Sequence, residues 1–221
     1  MASDAPTFIV ADDHPLFRHA LRQIVEPHFA GARIVEAGTL DEAAAAIEAA
    51  VEPDLVLFDL TMPGARGFSG LMYLRAQFPA VPVCVVSATE DASTIRRCVA
   101  LGAAGFIPKS SPPTIIREAI QAILEGGTWS PPGPTPRSGR AEDDALAARL
   151  RSLTPQQLRV LMMMGEGRAN KQIAYELNVS EATVKAHVSA VLSKLGVENR
   201  TKAVLAVGRF ELGEWQALNP G

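Results

Sequence analysis

Carboxylates, a hydroxyl and an ammonium recur in the first half of this sequence, each at or just past the end of a short apolar run. Asp12 and Asp13 follow TFIVA, Asp59 follows LVLF, Ser87 closes VPVCVVS and Lys109 comes just after AGFI. An ionised carboxylate at the end of a buried run loses hydration, so it needs compensation or a task. Three such anions brought together raise a pKa or recruit a cation. Hard oxygen ligands in a partly open site suit magnesium, which keeps several waters and bridges to phosphate. With the Ser87 hydroxyl and the Lys109 ammonium, the set suits a divalent cation and a phosphoryl group. Singly, each residue has an ordinary explanation: a turn or cap for an aspartate, a capping role for a serine, solvation for a lysine. Only their meeting at one place argues for a site, and that depends on the elements that carry them.

Those elements alternate between two periods. Runs at 7–11, 33–37, 54–58, 81–87 and 104–107 read as strands, and helical patterns fill about 15–28, 40–50, 67–78, 91–101 and 112–125. Strands alternating with helices predict a doubly wound α/β domain on a five-stranded parallel sheet. The continuous apolarity of 55–58 and 83–86 fits strands covered on both faces. Ligands in such sheets bind beyond the carboxyl ends of the strands, where all five residues fall.

After this comes TWSPPGPTPRSGRA at 128–141, whose proline density predicts an extended, semi-rigid connector. EDDALAARLRSL then reads as a short helix leading into a second domain. From Leu153 the pattern is helical throughout. Thr154-Pro155-Gln156-Gln157 fits a helix start, with Thr as N-cap, Pro at the first position and Gln at the third. Leu158, Leu161 and Met162 share a face of that helix, and a second helix at 170–177 buries Ile173, Ala174 and Leu177. Asn178-Val179-Ser180 separates it from a third, to about Leu195, and a fourth runs from about Arg200 to Leu212. Two helices joined by three residues give a helix-turn-helix outline in a small all-α domain. Val184, Val188, Val191, Leu192 and Leu195 form the core stripe of the third helix. Ala182, Ala186, Ser189 and Ser193 lie opposite, with Lys185 on the flank. A face that small can lie close to a groove floor. The expected division is 1–127, a connector at 128–150, and 151–221.

Composition narrows the setting. The 221 residues are 48% hydrophobic and 20% charged, normal for globular domains, and two domains fit the length. No apolar run reaches transmembrane length, and MASDAPTFIVADDHP does not read as a secretory leader. Cys84 and Cys98 lie in apolar settings without metal-ligand spacing, which predicts buried thiols in a reducing cytoplasm. The net charge of −3 hides an asymmetry: residues 1–127 carry 9 Lys+Arg against 15 Asp+Glu, and residues 151–221 carry 9 against 6. An acidic half and a basic half suggest different partners, a polyanion for the second.

The motifs VADDHPLFR, LVLFDLTMPG, VVSATED and AGFIPKS make residues 7–125 resemble the receiver domain of two-component response regulators. That resemblance implies that Asp59 accepts a phosphoryl group from a histidine kinase. It assigns magnesium to Asp12, Asp13, Asp59 and the Thr61 carbonyl, the switch hydroxyl to Ser87, the switch aromatic to Phe106, and contact with the phosphoryl oxygens to Lys109. LTPQQLRVLMMMGEGRANKQIAYELNVSEATVKAHVSAVLSKLGVENRTKAV resembles the four-helix DNA-binding domain of LuxR-type regulators. Receiver plus this module corresponds to the NarL/FixJ subfamily. It implies double-stranded DNA as partner, with base contacts from Lys185, Ala186 and Ser189 and phosphate contacts from Asn170, Lys171, Thr183 and Lys194. Short side chains on that face predict few direct base contacts and much phosphate and shape readout. The last helix, with Val204, Leu205, Val207 and Phe210, resembles the family's dimerisation helix, so a homodimer is expected in the active state.

The expectation is a phosphorylation-controlled transcription factor. One rival is a phosphatase-like enzyme, since haloacid-dehalogenase-like phosphatases also use an aspartyl nucleophile. They carry a second aspartate two residues on as acid/base, where this chain has Thr61. A persistent phosphorylated state is therefore expected, not turnover. The other rival is a constitutive DNA-binding protein whose receiver only docks partners.

Overall fold

The computed structural model describes residues 5–50, 53–65, 67–132 and 141–212. The chain forms two compact units, Met1–Arg137 and Ser138–Gly221. In the first, β1 (Thr7–Ala11), β2 (Arg33–Ala37), β3 (Leu55–Phe58), β4 (Val83–Ser87) and β5 (Gly105–Pro108) form one sheet of order β2-β1-β3-β4-β5. Every pairing is parallel. Helices α1 (Pro15–Val25), α2 (Leu40–Ala49), α3 (Ser69–Gln77), α4 (Ala92–Ala100) and α5 (Pro113–Leu124) alternate with the strands, as the sequence pattern requires. β3, β4 and β5 are buried along their whole length. One core cluster joins Phe8, Val10, Leu55, Leu57, Cys84, Val86 and Ile107 to Leu21, Val25, Ile116, Ile120 and Ile123. Both cysteines are buried, as expected, and desolvation pushes the Cys84 thiol well above its ordinary pKa.

The sheet extends one step further than the sequence pattern indicates. Trp129 forms an isolated parallel bridge with Gly105, donating its N–H to Ala104 O at 3.1 Å and accepting from Phe106 N at 3.0 Å. The beginning of the expected connector is thus hydrogen-bonded to the edge of β5. Residues 133–140, most of its proline-rich part, lie outside the described residues.

In the second unit, α6 (Ala141–Arg151), α7 (Pro155–Gly165), α8 (Asn170–Glu176), α9 (Glu181–Leu195) and α10 (Arg200–Leu212) surround Leu150, Leu158, Val160, Ile173, Val184, Val191 and Phe210, all nearly inaccessible. α6, read from the sequence as part of the connector, packs on α9 and buries Ala147 and Leu150. Its Arg149 Nη1 donates to Leu195 O at the end of α9, at 2.8 Å. α7 starts with the expected capping box: Thr154 Oγ1 accepts from Gln157 N, and Gln157 Oε1 accepts from Thr154 N. Asn178 turns the chain between α8 and α9 at φ 52°, a region asparagine tolerates better than most residues. Ser180 Oγ then caps α9 by accepting from Thr183 N at 3.1 Å.

Candidate functional site: an acidic pocket and an exposed helix face

The register of the sheet assembles the pocket. Ala11 pairs with Phe58, so Asp12 and Asp59 leave neighbouring strands side by side, and Asp59 N donates to Ala11 O at 2.9 Å. Ser87 pairs with Pro108, and Lys109 N donates to Ser87 O at 2.7 Å. The five residues expected at the carboxyl edge all lie there. Asp12 and Asp59 are each 1% exposed. Lys109 Nζ lies 2.7 Å from Asp12 Oδ2 and 2.9 Å from Asp59 Oδ2, and 4.8 Å from the centre of the Phe17 ring. Burial acts to lower the ammonium's pKa, but the close pairing with the Asp12 and Asp59 carboxylates outweighs it and raises it.

One lysine does not satisfy three carboxylates. Asp12 Oδ2 and Asp13 Oδ1 are buried and accept no hydrogen bond of acceptable geometry, although the former is in ion contact with Lys109. The ligand atoms of Asp12, Asp13, His14 and Asp59 all lie within 4.8 Å of one another. Under-satisfied oxygens grouped in this way fit a hard divalent cation. Ser87 is buried, and its Oγ accepts from Thr89 N at 3.2 Å. Phe106 is fully buried on β5. Thr61, two residues past Asp59, was expected to matter through its carbonyl. Its side chain is engaged as well: Oγ1 donates to Asp59 Oδ2 at 2.9 Å and the N–H donates to Oδ1 at 3.3 Å.

In the second unit Thr183, Lys185, Ala186 and Ser189 lie exposed on α9, and Lys171 is exposed at the start of α8. Lys185 is 3.3 Å from Glu181, one turn back. Asn170 is half-buried, its Oδ1 accepting from Arg200 Nη1 at 3.4 Å. Lys194 is set apart from this group. Its ammonium donates to Ser152 O at 2.7 Å and Gln157 Oε1 at 2.8 Å, pinning α9 to the start of α7. Arg200 has a comparable role, reaching Met164 O at the end of α7 and Arg168 O in the loop that follows.

Comparison with known proteins agrees with both halves. Residues 8–121 match the response regulator receiver domain, and residues 151–207 match the bacterial regulatory proteins of the luxR family. A glycerol metabolism activator of Pseudomonas putida is 43% identical over 210 residues, covering 92% of this chain and 95% of its own. The nitrate/nitrite response regulator protein NarP of Escherichia coli K12 is 33% identical over 204 residues, covering 89% and 92%. This chain is a NarL/FixJ-type response regulator. A solved structure of the Salmonella typhimurium RcsB response regulator shares its fold at a TM-score of 0.54 and 23% identity, over 93% of this chain and 99% of that one. The response regulator joins a receiver to a LuxR-type DNA-binding domain and is a phosphorylation-controlled transcriptional regulator.

Two side chains of this response regulator escaped the sequence reading. His14 and the Thr61 hydroxyl both reach the aspartates. Proximity to Asp13 and Asp59 in the sequence was the available signal. Which way a side chain one or two residues past a strand turns is set by the loop, not by the apolar pattern that located the strand. The ties of Arg149 and Lys194 to distant helix ends left no local signal either.

Proposed function

We propose that Asp59 accepts a phosphoryl group in the cytoplasm from a cognate histidine kinase, with Mg2+ held by Asp12, Asp13, Asp59 and the Thr61 carbonyl. A carboxylate oxygen of Asp59 bonds to phosphorus as the P–N bond of the donor phosphohistidine breaks, and the imidazole keeps the electron pair. The cation, when bound, neutralises charge on the transferring group. Lys109 does the same from its position between Asp12 and Asp59. Thr61 Oγ1 and Lys109 both bond to Asp59 Oδ2, so that oxygen is held in place. The Ser87 hydroxyl turns from Thr89 N to a phosphoryl oxygen, and Phe106 repacks with it. Residue 61 is threonine, with no carboxyl to serve as acid/base, so the phosphorylated state persists and the chain is a signal carrier, not a turnover enzyme.

The signal is read by the DNA-binding domain. The domain limits we adopt are 1–127 for the receiver, 128–150 for the connector and 151–221 for DNA binding, with α6 a connector helix docked on α9. Lys185, Ala186 and Ser189 face the bases, and Asn170, Lys171 and Thr183 face phosphates, joined by any donor that Lys194 has to spare. RcsB, which shares the fold, is described as dimers bound to DNA, which supports a homodimer on two half-sites. The 43% identity to the glycerol metabolism activator of Pseudomonas putida supports activation as the output.

The observation that carries this reading is Asp59 itself: buried, between Asp12 and Lys109, at the carboxyl edge of a parallel sheet. Incubation with Mg2+ and a small phosphodonor should add the mass of one phosphoryl group to the wild type and none to Asp59→Ala. It should also tighten DNA binding in the wild type alone. Unchanged DNA affinity in the modified protein would overturn phosphorylation control, and rapid release of inorganic phosphate would point to the enzyme.

A further inference from the structure

The connector is fastened to the strand that carries Phe106. α5 ends in a two-glycine turn: Gly126 has φ 83°, and Gly127 N donates back to Ala122 O at 2.9 Å. The chain reverses there, and Trp129 reaches the outer edge of β5. Its N–H donates to Ala104 O at 3.1 Å, and its carbonyl accepts from Phe106 N at 3.0 Å. The half-buried ring packs against the core cluster. A Cβ on Gly105 would lie 3.1 Å from Trp129 O and 2.7 Å from Ile123 Cδ1, so glycine is what admits this approach. The ladder then stops. In a parallel pair the next bonds would run from Pro131 N to Phe106 O and from Pro108 N to Pro131 O. Proline has no N–H to give at either place. A single bridge therefore makes the attachment, and one of its two hydrogen bonds ends on the peptide of Phe106.

We infer that Trp129 is a clasp between the switch strand and the connector, closed in the resting state and opened when Phe106 repacks. The inference rests on the reading of Asp59 as phosphoacceptor and Phe106 as switch aromatic. Phe106 is fully buried, so its ring has no void to turn into, and a change in its packing moves its backbone as well. A longer ladder would spread that movement over many bonds. Here the prolines confine it to the bonds of Trp129, and segments held by few bonds are the ones that open locally. Opening frees residues 128–132 and lengthens the tether to the DNA-binding domain by about 3.4 Å for each residue that extends. A longer tether lets the two DNA-binding domains of a dimer reach both half-sites. Trp129 pairs at the amino end of β5, whereas Lys109 follows its carboxyl end. The clasp thus acts on the passage of the signal and not on its receipt.

The test uses the full chain before and after treatment with Mg2+ and a small phosphodonor, with the adduct followed by mass. In the modified protein the Phe106 amide should exchange its proton about tenfold faster, the scale of one net hydrogen bond. Trp215→Phe leaves Trp129 as the sole tryptophan, whose emission should shift to the red on modification. Trp129→Pro lacks the N–H that reaches Ala104 O. It should still take the adduct, but without phosphodonor it should bind DNA nearly as tightly as the modified wild type. Trp129→Phe keeps both backbone bonds and should retain the wild-type difference in DNA affinity. A Phe106 amide as protected after modification as before overturns the inference and leaves Asp59 standing as phosphoacceptor. A folded Trp129→Pro with the full wild-type difference in DNA affinity does the same. Should that variant fail to fold, the exchange measurement decides alone. No adduct on the wild-type chain overturns both.

Discussion

Lys109 dominates the electrostatics of the receiver pocket in the absence of a cation. Its ammonium is in ion contact with both Asp12 and Asp59, two carboxylates that are nearly inaccessible. Removing one partner of a buried ion pair strands the charge that remains, at a typical cost of about 3 kcal/mol. Lys109→Gln should therefore lower the unfolding free energy by about that amount when measured with chelator present. Saturating Mg2+ should restore much of the loss, because a divalent ion replaces the missing charge. A variant equally stable with and without Mg2+ would contradict the picture. Asp91 gives a second test at this scale. Partial burial raises its pKa, but hydrogen bonds from Thr94 and Ser93 outweigh that and hold it below the ordinary carboxylate value. A depressed folded-state pKa means that Asp91 stabilises fully above about pH 4 and loses this as pH falls through its folded value. Asp91→Asn keeps a cap acceptor for α4 but should flatten that acid-side loss, as followed by urea unfolding from neutral pH downward.

At the scale of elements, the contact between α3 and β3 is tight enough to forbid a methyl group. A Cβ on Gly70 would lie 2.5 Å from Phe58 Cζ and 2.7 Å from Ala65 Cβ. Helix propensity alone favours alanine over glycine by about 1 kcal/mol. Phe58 is fully buried on the strand that delivers Asp59, so it has no room to yield, and overpacking of this kind costs about 1–3 kcal/mol. The steric cost should win. Gly70→Ala is expected to lower the thermal midpoint and to slow phosphorylation of Asp59, since the phenylalanine it displaces precedes that aspartate. The boundary at 128–150 shows how far element patterns reach. The proline run between the two units was plain in sequence, and so was a short helix after it. Nothing local revealed that Trp129 bonds to β5 or that Arg149 ties α6 to α9, because each needs a distant surface to be present.

For the whole molecule, charge is divided between the halves, 9 Lys+Arg against 15 Asp+Glu in residues 1–127 and 9 against 6 in residues 151–221. A basic surface that displaces counterions from DNA produces a linear fall of log affinity with log salt, with a slope of about 0.9 per phosphate neutralised. Lys171 is exposed at the start of α8, and the proposed phosphate contact would place it among these charges. Lys171→Ala should reduce the slope by about one and weaken binding evenly across sequences. Lys185 is exposed on α9, and on the proposal that it reads bases Lys185→Ala should change the ranking of operator variants instead. Fluorescence anisotropy at several salt concentrations separates the two. The same ranking change from both substitutions would mean that α8 and α9 do not divide the work in this way.

The sequence by itself determined the parallel α/β sheet, the helix-turn-helix outline and the five residues gathered at the sheet edge. Each follows from a short-range pattern: buried strands are continuous apolar runs, helices repeat about every 3.6 residues, and parallel strands all end on one side. Only the tertiary structure decided what those side chains touch. Lys109 lies between Asp12 and Asp59, Thr61 holds Asp59 through its hydroxyl, His14 lies against the aspartates, and Lys194 is bound to α7. Such contacts depend on loop paths and on register between distant segments, and residue type and spacing do not encode them locally.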